Sequence, residues 1–197
     1  MSAGHTVSAL ANTTHGSTTR HAPPEPIWRA EQASPQTMQR GRIVKLEQMP
    51  VTGREPETSS SPQMRALSQF YRALNTRDID LMARNWAQTD EAVMDNPVGS
   101  IKRGWPAIRA VYERVFSHAA SFWFEFYDYS LHEAGDVFYV VGRERGEYAS
   151  NQSRLAMLIR TSRVFRLIDG EWRQIHHHGS IDDPELLRGY QHAALED

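Results

Sequence analysis

The stretch Ser162-Arg163-Val164-Phe165-Arg166-Leu167-Ile168, Asp169-Gly170, Glu171-Trp172-Arg173-Gln174-Ile175-His176-His177-His178-Gly179-Ser180 decides the fold. Two β-prone runs flank an Asp-Gly dipeptide, which suits a two-residue type I′ turn because both central residues need φ > 0. The chain is therefore expected to double back here as an antiparallel hairpin. Its second strand carries three consecutive histidines. Alternate residues of a strand point to opposite faces, so His177 faces one way and His176 and His178 the other. At least one ionisable side chain must point toward whatever the sheet covers.

Upstream of the hairpin the chain is nearly all strand from Ser121 onward. Phe122 to Tyr129 is followed by a turn at Ala134-Gly135-Asp136, then by Val137 to Gly142, a turn near Ser150-Asn151-Gln152, and Leu155 to Ile168. Short turns make these strands antiparallel. Before them the pattern is helical. Ser61 is a good N-cap and Pro62 suits the first helical position, and Met64, Leu67, Phe70, Tyr71 and Leu74 recur at helical spacing. Asn75-Thr76-Arg77 reads as a break, and Asp78 caps a second helix with Ile79, Met82, Ala83 and Trp86 on one face. Glu91 to Asp95 reads as a short strand and Asn96-Pro97-Val98-Gly99 as a turn. Pro106 opens a third helix carrying Ile108, Val111, Tyr112, Val115 and Phe116, and Asp183-Pro184 opens a closing helix with Leu186, Leu187 and Tyr190. Helices first and strands last predict an α+β fold, with the helices on one face of a curved antiparallel sheet.

Residues 1–61 read as a leader or linker, and residues 62–197 as one domain. Seven of the ten prolines precede Gln63, and Trp28 is the only Phe, Trp or Tyr that does. Such a segment buries too little apolar surface to offset chain entropy, although Arg42 to Leu46 could dock as a short extended piece, and Met38 or Met49 could serve as an internal start. The leader lacks the apolar core of a signal peptide, and no run approaches the length of a membrane span. Lys and Arg total 22 against 24 Asp and Glu, a net charge of -2, which gives no electrostatic reason to expect nucleic acid or anionic lipid as a partner. With no cysteine, disulfides, thiolate metal sites and a cysteine nucleophile are excluded, and a cytoplasmic location is expected.

Two stretches carry a family resemblance. Asp95-Asn96-Pro97-Val98-Gly99-Ser100, with Ala107-Ile108-Arg109 and Tyr112, is similar to the corresponding segment of ketosteroid isomerases. Ser162 to Phe165, with Gly170 to His176 and His178, is similar to the end of the calcium/calmodulin-dependent kinase II association domain. Together, over about Gln63 to Ser180, they resemble the nuclear transport factor 2-like superfamily, including its SnoaL-like members. The resemblance implies a cone-shaped α+β roll of cystatin-like type, a pocket between sheet and helices, and a dimer or larger ring. It also allows a test of the isomerase chemistry, which needs a carboxylate base and an oxyanion hole made of a tyrosine and a protonated aspartic acid. The base position falls at Asn96, the tyrosine at Phe70 and the second donor near Arg163. A conventional ketosteroid isomerase is therefore rejected. Asp95 could replace the base only through a one-residue shift of strand register, which would turn it to the other face. Both relatives place residue 163 in the pocket, and the same matching turns Ile175, His177 and Gly179 inward and His176 and His178 outward, where the family commonly dimerises.

Each candidate has a functional and a plain reading. His177 beside Arg163 is either a general acid or base or a hydrogen-bonded histidine in a polar cavity. His176 and His178 have a chelating spacing but no third ligand nearby, so interface packing is the stronger expectation. Arg163, with Arg143, Arg145, Arg154 and Arg160, either lines an anion site or belongs to a solvated face paired with Glu144 and Glu147. Of the five, only Arg163 is expected in the site. Trp86, Trp105, Tyr112, Phe116 and Tyr139 either wall a pocket or fill a core. The expected function is a homodimeric small-molecule-binding protein acting by acid–base chemistry (isomerase, cyclase or hydrolase-like) on a cyclic or aromatic substrate. His177 and Arg163 would be catalytic, and Phe70, Trp86, Asp95, Asn96, Tyr112, Phe116 and Ile175 would line the pocket. The alternative is a non-catalytic oligomerisation or accessory module. Phe122 to Tyr129 is aromatic on both faces, so the outer sheet face is expected to meet a partner subunit. Without a phosphate-binding glycine loop or a convincing metal set, no cofactor is implied.

Overall fold

The computed structural model describes residues 49–56, 58, 61–97, 99, 101–150 and 154–196. The Arg42–Leu46 piece and most of the Asn151-Gln152 turn lie outside them. Helix α1 spans Pro62–Thr76. Ser61 Oγ accepts the Met64 N–H at 3.3 Å, and Arg77, with φ 57°, closes the helix in the left-handed conformation. Asn75 stays helical instead of breaking the turn. Its Oδ1 accepts the Phe124 N–H at 2.9 Å and its Nδ2 donates to Phe124 O at 2.8 Å, so one side chain imitates a neighbouring strand. Asp78 caps α2 (Ile79–Asn85) by accepting the Leu81 N–H. Helix α3 spans Trp105–Ser117, and α4 spans Pro184–Glu196 with Asp183 Oδ1 accepting the Glu185 N–H.

The strands are β1 (Val93–Asp95), β2 (Lys102–Arg103), β3 (Ser121–Ala134), β4 (Val137–Ala149), β5 (Arg154–Ile168) and β6 (Glu171–Ser180), and they form one sheet in the order β2-β1-β6-β5-β4-β3. The hairpin forms as expected, with φ 51° at Asp169 and 81° at Gly170. The sheet is open and mixed, since β1 runs parallel to β6. That departs from an all-antiparallel reading, because β1 reaches β6 through a long crossover containing α3 and four strands instead of a short turn. Two bulges interrupt the ladders. One lies between Tyr127 and Ser130 on β3; the other sets Val164 opposite His176 and Phe165 opposite Gln174, leaving Ile175 without a partner. Glycine is required where β4 crosses β3. A Cβ on Gly146 would stand 2.0 Å from Trp123 O.

The helices cover one face of the sheet, and the core lies between them. Leu67, Phe70, Tyr71, Met82, Trp86 and Ile108 from the helices meet Met94, Phe126, Phe138, Val140 and Phe165 from the sheet. Val51, 1% exposed, joins this core and exchanges two backbone hydrogen bonds with Phe126, so a residue ahead of Ser61 contributes to it. Among the described residues, no helix is long and apolar enough to cross a membrane.

Candidate functional site

A cavity of about 320 Å³ opens between the sheet and α1, α3 and α4. Its apolar wall includes Phe70, Leu74, Met94, Val111, Val115 and Phe122. Its floor is built by strand alternation. Glu144 on β4, Arg163 on β5 and His177 on β6 all point inward, and Arg163 and His177 are direct cross-strand partners. The three residues are 5%, 1% and 8% exposed.

Burying a guanidinium demands compensation, and Arg163 has it on every side. Nη2 donates to Glu144 Oε1 at 2.6 Å, Nη1 to Gln174 Oε1 at 3.0 Å, and Nε to the Tyr71 hydroxyl at 3.4 Å. Its flat face lies 3.5 Å from the Phe70 ring centroid, a cation–π contact. Tyr71 in turn donates to Glu144 Oε1 at 2.6 Å. Burial raises the Tyr71 pKa well above that of an ordinary phenol, so it remains a donor. Glu144 therefore neutralises Arg163 inside the fold.

His177 is different. Neither Nδ1 nor Nε2 bonds to any protein group, although the ring is enclosed. Burial first, and the nearby Arg163 charge second, hold its pKa well below the ordinary value, which keeps the imidazole neutral. Phe70 packs 6.3 Å from it, centroid to centroid. The Tyr112 hydroxyl is pushed up to about 12 by burial, against the lowering influence of Arg163 and Trp86, and so stays protonated. Asn96 lines the cavity from the β1–β2 turn, where its Oδ1 accepts the Gly99 N–H at 3.0 Å.

The structure thus brings Phe70, Asn96, Tyr112, Arg163 and His177 together around one space. Four expected lining residues fall elsewhere. Asp95 turns to the outer face, where its Oδ2 lies 3.1 Å from His178 Nδ1; the register is not shifted, and Asp95 cannot serve as the base. Trp86 is fully buried behind Tyr112, at 6.5 Å between ring centroids. Phe116 packs between Tyr112 and Phe122 without bordering the cavity. Ile175 occupies the β6 bulge. Trp105 is core, whereas Tyr139 is on the outer face, stacked on His132 at 4.7 Å. Arg143, Arg145, Arg154 and Arg160 pair with Asp128, Glu125, Glu147 and Asp182. Among the described residues, no three His, Asp or Glu side chains converge as a metal site.

Glu144 is the residue the sequence reading missed. A signal existed, since Phe138, Val140, Glu144 and Tyr148 share one parity of β4, and all four are buried. Tyr148 and Tyr190 of α4 likewise line the cavity without having been anticipated there.

No curated protein matches this sequence. Solved structures do. A candidate dehydratase of the NTF2-like family from Streptomyces avermitilis superposes with a TM-score of 0.57 at 18% identity, over 64% of this chain and 97% of that one. A candidate ketosteroid isomerase from Shewanella frigidimarina gives 0.54 at 14% identity, over 61% and 96%. A candidate calcium/calmodulin-dependent kinase II association domain from Thiobacillus denitrificans gives 0.50 at 21%, over 62% and 96%. At these identities the similarity shows the fold alone. The model of the SnoaL-like domain matches residues 64–184, more than half of the sequence and every described strand. The chain belongs to the SnoaL-like domain family.

Proposed function

We propose that this chain binds a small, largely apolar cyclic molecule in the 320 Å³ cavity and handles a proton of that molecule through His177. One observation carries the reading: two unpartnered imidazole nitrogens are buried against a mostly apolar space. Leaving such atoms unpaired costs stability, and a bound molecule with a hydroxyl or carbonyl group would pair them. A neutral imidazole can accept a proton from a ligand C–H or O–H and return it to a neighbouring atom, as an isomerase or cyclase requires. The protonated Tyr112 hydroxyl and the remaining Arg163 N–H groups would stabilise a developing oxyanion, and the Asn96 amide would orient the ring. Glu144 cancels the Arg163 charge, so the floor selects an uncharged group.

A thermal-shift screen against steroids, aromatic polyketides and small carboxylic acids tests this reading. A ligand at a hundredfold its Kd should add about 2.7 kcal/mol of stability. A hit that His177→Ala abolishes supports the site, and deuterium uptake by the hit from D₂O would establish proton transfer. Hits indifferent to His177→Ala would contradict it.

A second reading, a non-catalytic association module, is favoured by the outer sheet face. Val141 and Leu158 are 49% and 56% exposed there, beside the Arg143–Asp128 and Arg160–Asp182 pairs. Arg143 and Arg160 are cross-strand partners lying between Val141 and Leu158, and a face that carries both charges flanked by apolar side chains can pair with itself, so the partner proposed for it is a second copy of this chain. The two readings are compatible, because the cavity and this face lie on opposite sides of the sheet.

A further inference from the structure

The charges around the cavity are unevenly placed. Lys102, Met94, His177 and Arg163 are successive partners across β2, β1, β6 and β5, so they share one face, and all four line the cavity. At the buried end of this row the charge is cancelled, because Arg163 is held by Glu144 and His177 is neutral. At its open end stands Lys102. On the opposite wall, Val111, Arg114, Val115 and His118 follow one another at i, i+3, i+4 and i+7, a single face of α3, and all four line the cavity. Arg114 is exposed and His118 half-buried, which places them at the mouth. Among the described lining residues Glu144 is the only carboxylate, and it is committed to Arg163. The neighbouring Glu113 is paired with Arg109 at 2.7 Å and is not part of the lining. Among the described residues the floor is therefore uncharged, and Arg114 places a cation at the mouth.

We infer that the ligand is amphipathic, with an anionic group held at the mouth by Arg114 and an uncharged ring system reaching down to His177. This rests on the reading of the cavity as a ligand site and narrows its substrate class. Two strand spacings, about 10 Å, separate the Lys102 and His177 backbones, so the anionic group and the group that meets His177 belong to opposite ends of a molecule roughly two fused rings long. Arg114 is a specificity-determining residue; it need not touch the reacting atoms.

Two fluorescent probes with the same aromatic body test it. 8-Anilinonaphthalene-1-sulfonate carries an anion, whereas N-phenyl-1-naphthylamine does not. Both are titrated into the full chain, into Arg114→Glu, whose exposed side chain leaves the fold intact, and into Gly179→Ala, which places a methyl group in the cavity. The expected result is that the sulfonate binds about tenfold more tightly than the amine. Arg114→Glu removes that preference without altering amine binding, and Gly179→Ala weakens both probes. Equal affinities that Arg114→Glu leaves equal would overturn the anionic mouth while the cavity reading stands. Failure of both probes to bind, or binding of both that Gly179→Ala leaves unchanged, would overturn the two readings together.

Discussion

Glu144 Oε1 lies 2.6 Å from Arg163 Nη2, with both side chains withdrawn from solvent. Glu144 on β4 is the direct partner of Ile159 on β5, and Arg163 is the partner of Val140, so the ion pair runs diagonally across the ladder. Tyr71 from α1 closes it by donating to the same oxygen. The pair thus ties the helical layer to the sheet and sets the polarity of the cavity floor.

Breaking this pair on one side should be far costlier than removing it whole. Glu144→Gln leaves a buried cation without its counter-charge, with an expected loss of about 3–5 kcal/mol. The double variant Glu144→Leu/Arg163→Met should lose less than either single change. Urea unfolding of wild type, Glu144→Leu, Arg163→Met and the double variant gives the coupling energy, and additive losses would contradict the assignment.

His177 should make stability depend on pH. Its folded-state pKa is depressed below the unfolded value near 6.5, so the unfolded chain takes up a proton that the folded chain refuses. Stability is unaffected by this group above about pH 6.5 and falls as pH drops below it, by up to roughly 1.4 kcal/mol per pH unit. Burial shifts His176 the same way, so its smaller contribution remains in both proteins compared. The difference in unfolding free energy between pH 7.5 and 5.5 should be smaller in His177→Gln than in wild type. Equal differences would mean that His177 is already paired or exposed.

Gly179 separates cavity from fold. An added Cβ would stand 3.3 Å from Ile159 Cγ2 and 3.5 Å from His177 Nε2. Those contacts demand only small shifts, so Gly179→Ala should keep most of its thermal stability while losing about tenfold or more in affinity for a cavity ligand. Calorimetric titration and a melting curve on the same sample check both halves.

On the outer face, Leu158→Glu should convert a dimer to a monomer with little change in unfolding free energy per chain, since Leu158 is exposed within one copy. Sedimentation velocity reads the result. A wild-type monomer at tens of micromolar would remove this face from the account.

The hairpin was legible because Asp169-Gly170 encodes its turn locally, and the caps at Ser61, Asp78 and Asp183 were legible for the same reason. Alternation set His177 on the opposite face from His176 and His178, and the family resemblance turned Arg163 and His177 inward. The same matching failed at Ile175, because a bulge changes parity without marking the sequence. Glu144 escaped because a glutamate among arginines looks like solvated surface, although the parity it shares with Phe138, Val140 and Tyr148 on β4 pointed inward. The parallel pairing of β1 with β6, which sets Asp95 beside His178 and Met94 beside His177, depends on residues far apart in the chain. No local pattern records it.

Nitrogen NMR observes His177 itself. With ¹⁵N-labelled histidine, the full chain is titrated with N-phenyl-1-naphthylamine at pH 7. The His177 ring nitrogens are expected to report a neutral imidazole in the free protein and to shift as the probe saturates, while His178, paired with Asp95 on the opposite face, stays where it was. A protonated His177 in the free protein, or a bound probe that leaves its resonances unmoved, would contradict it.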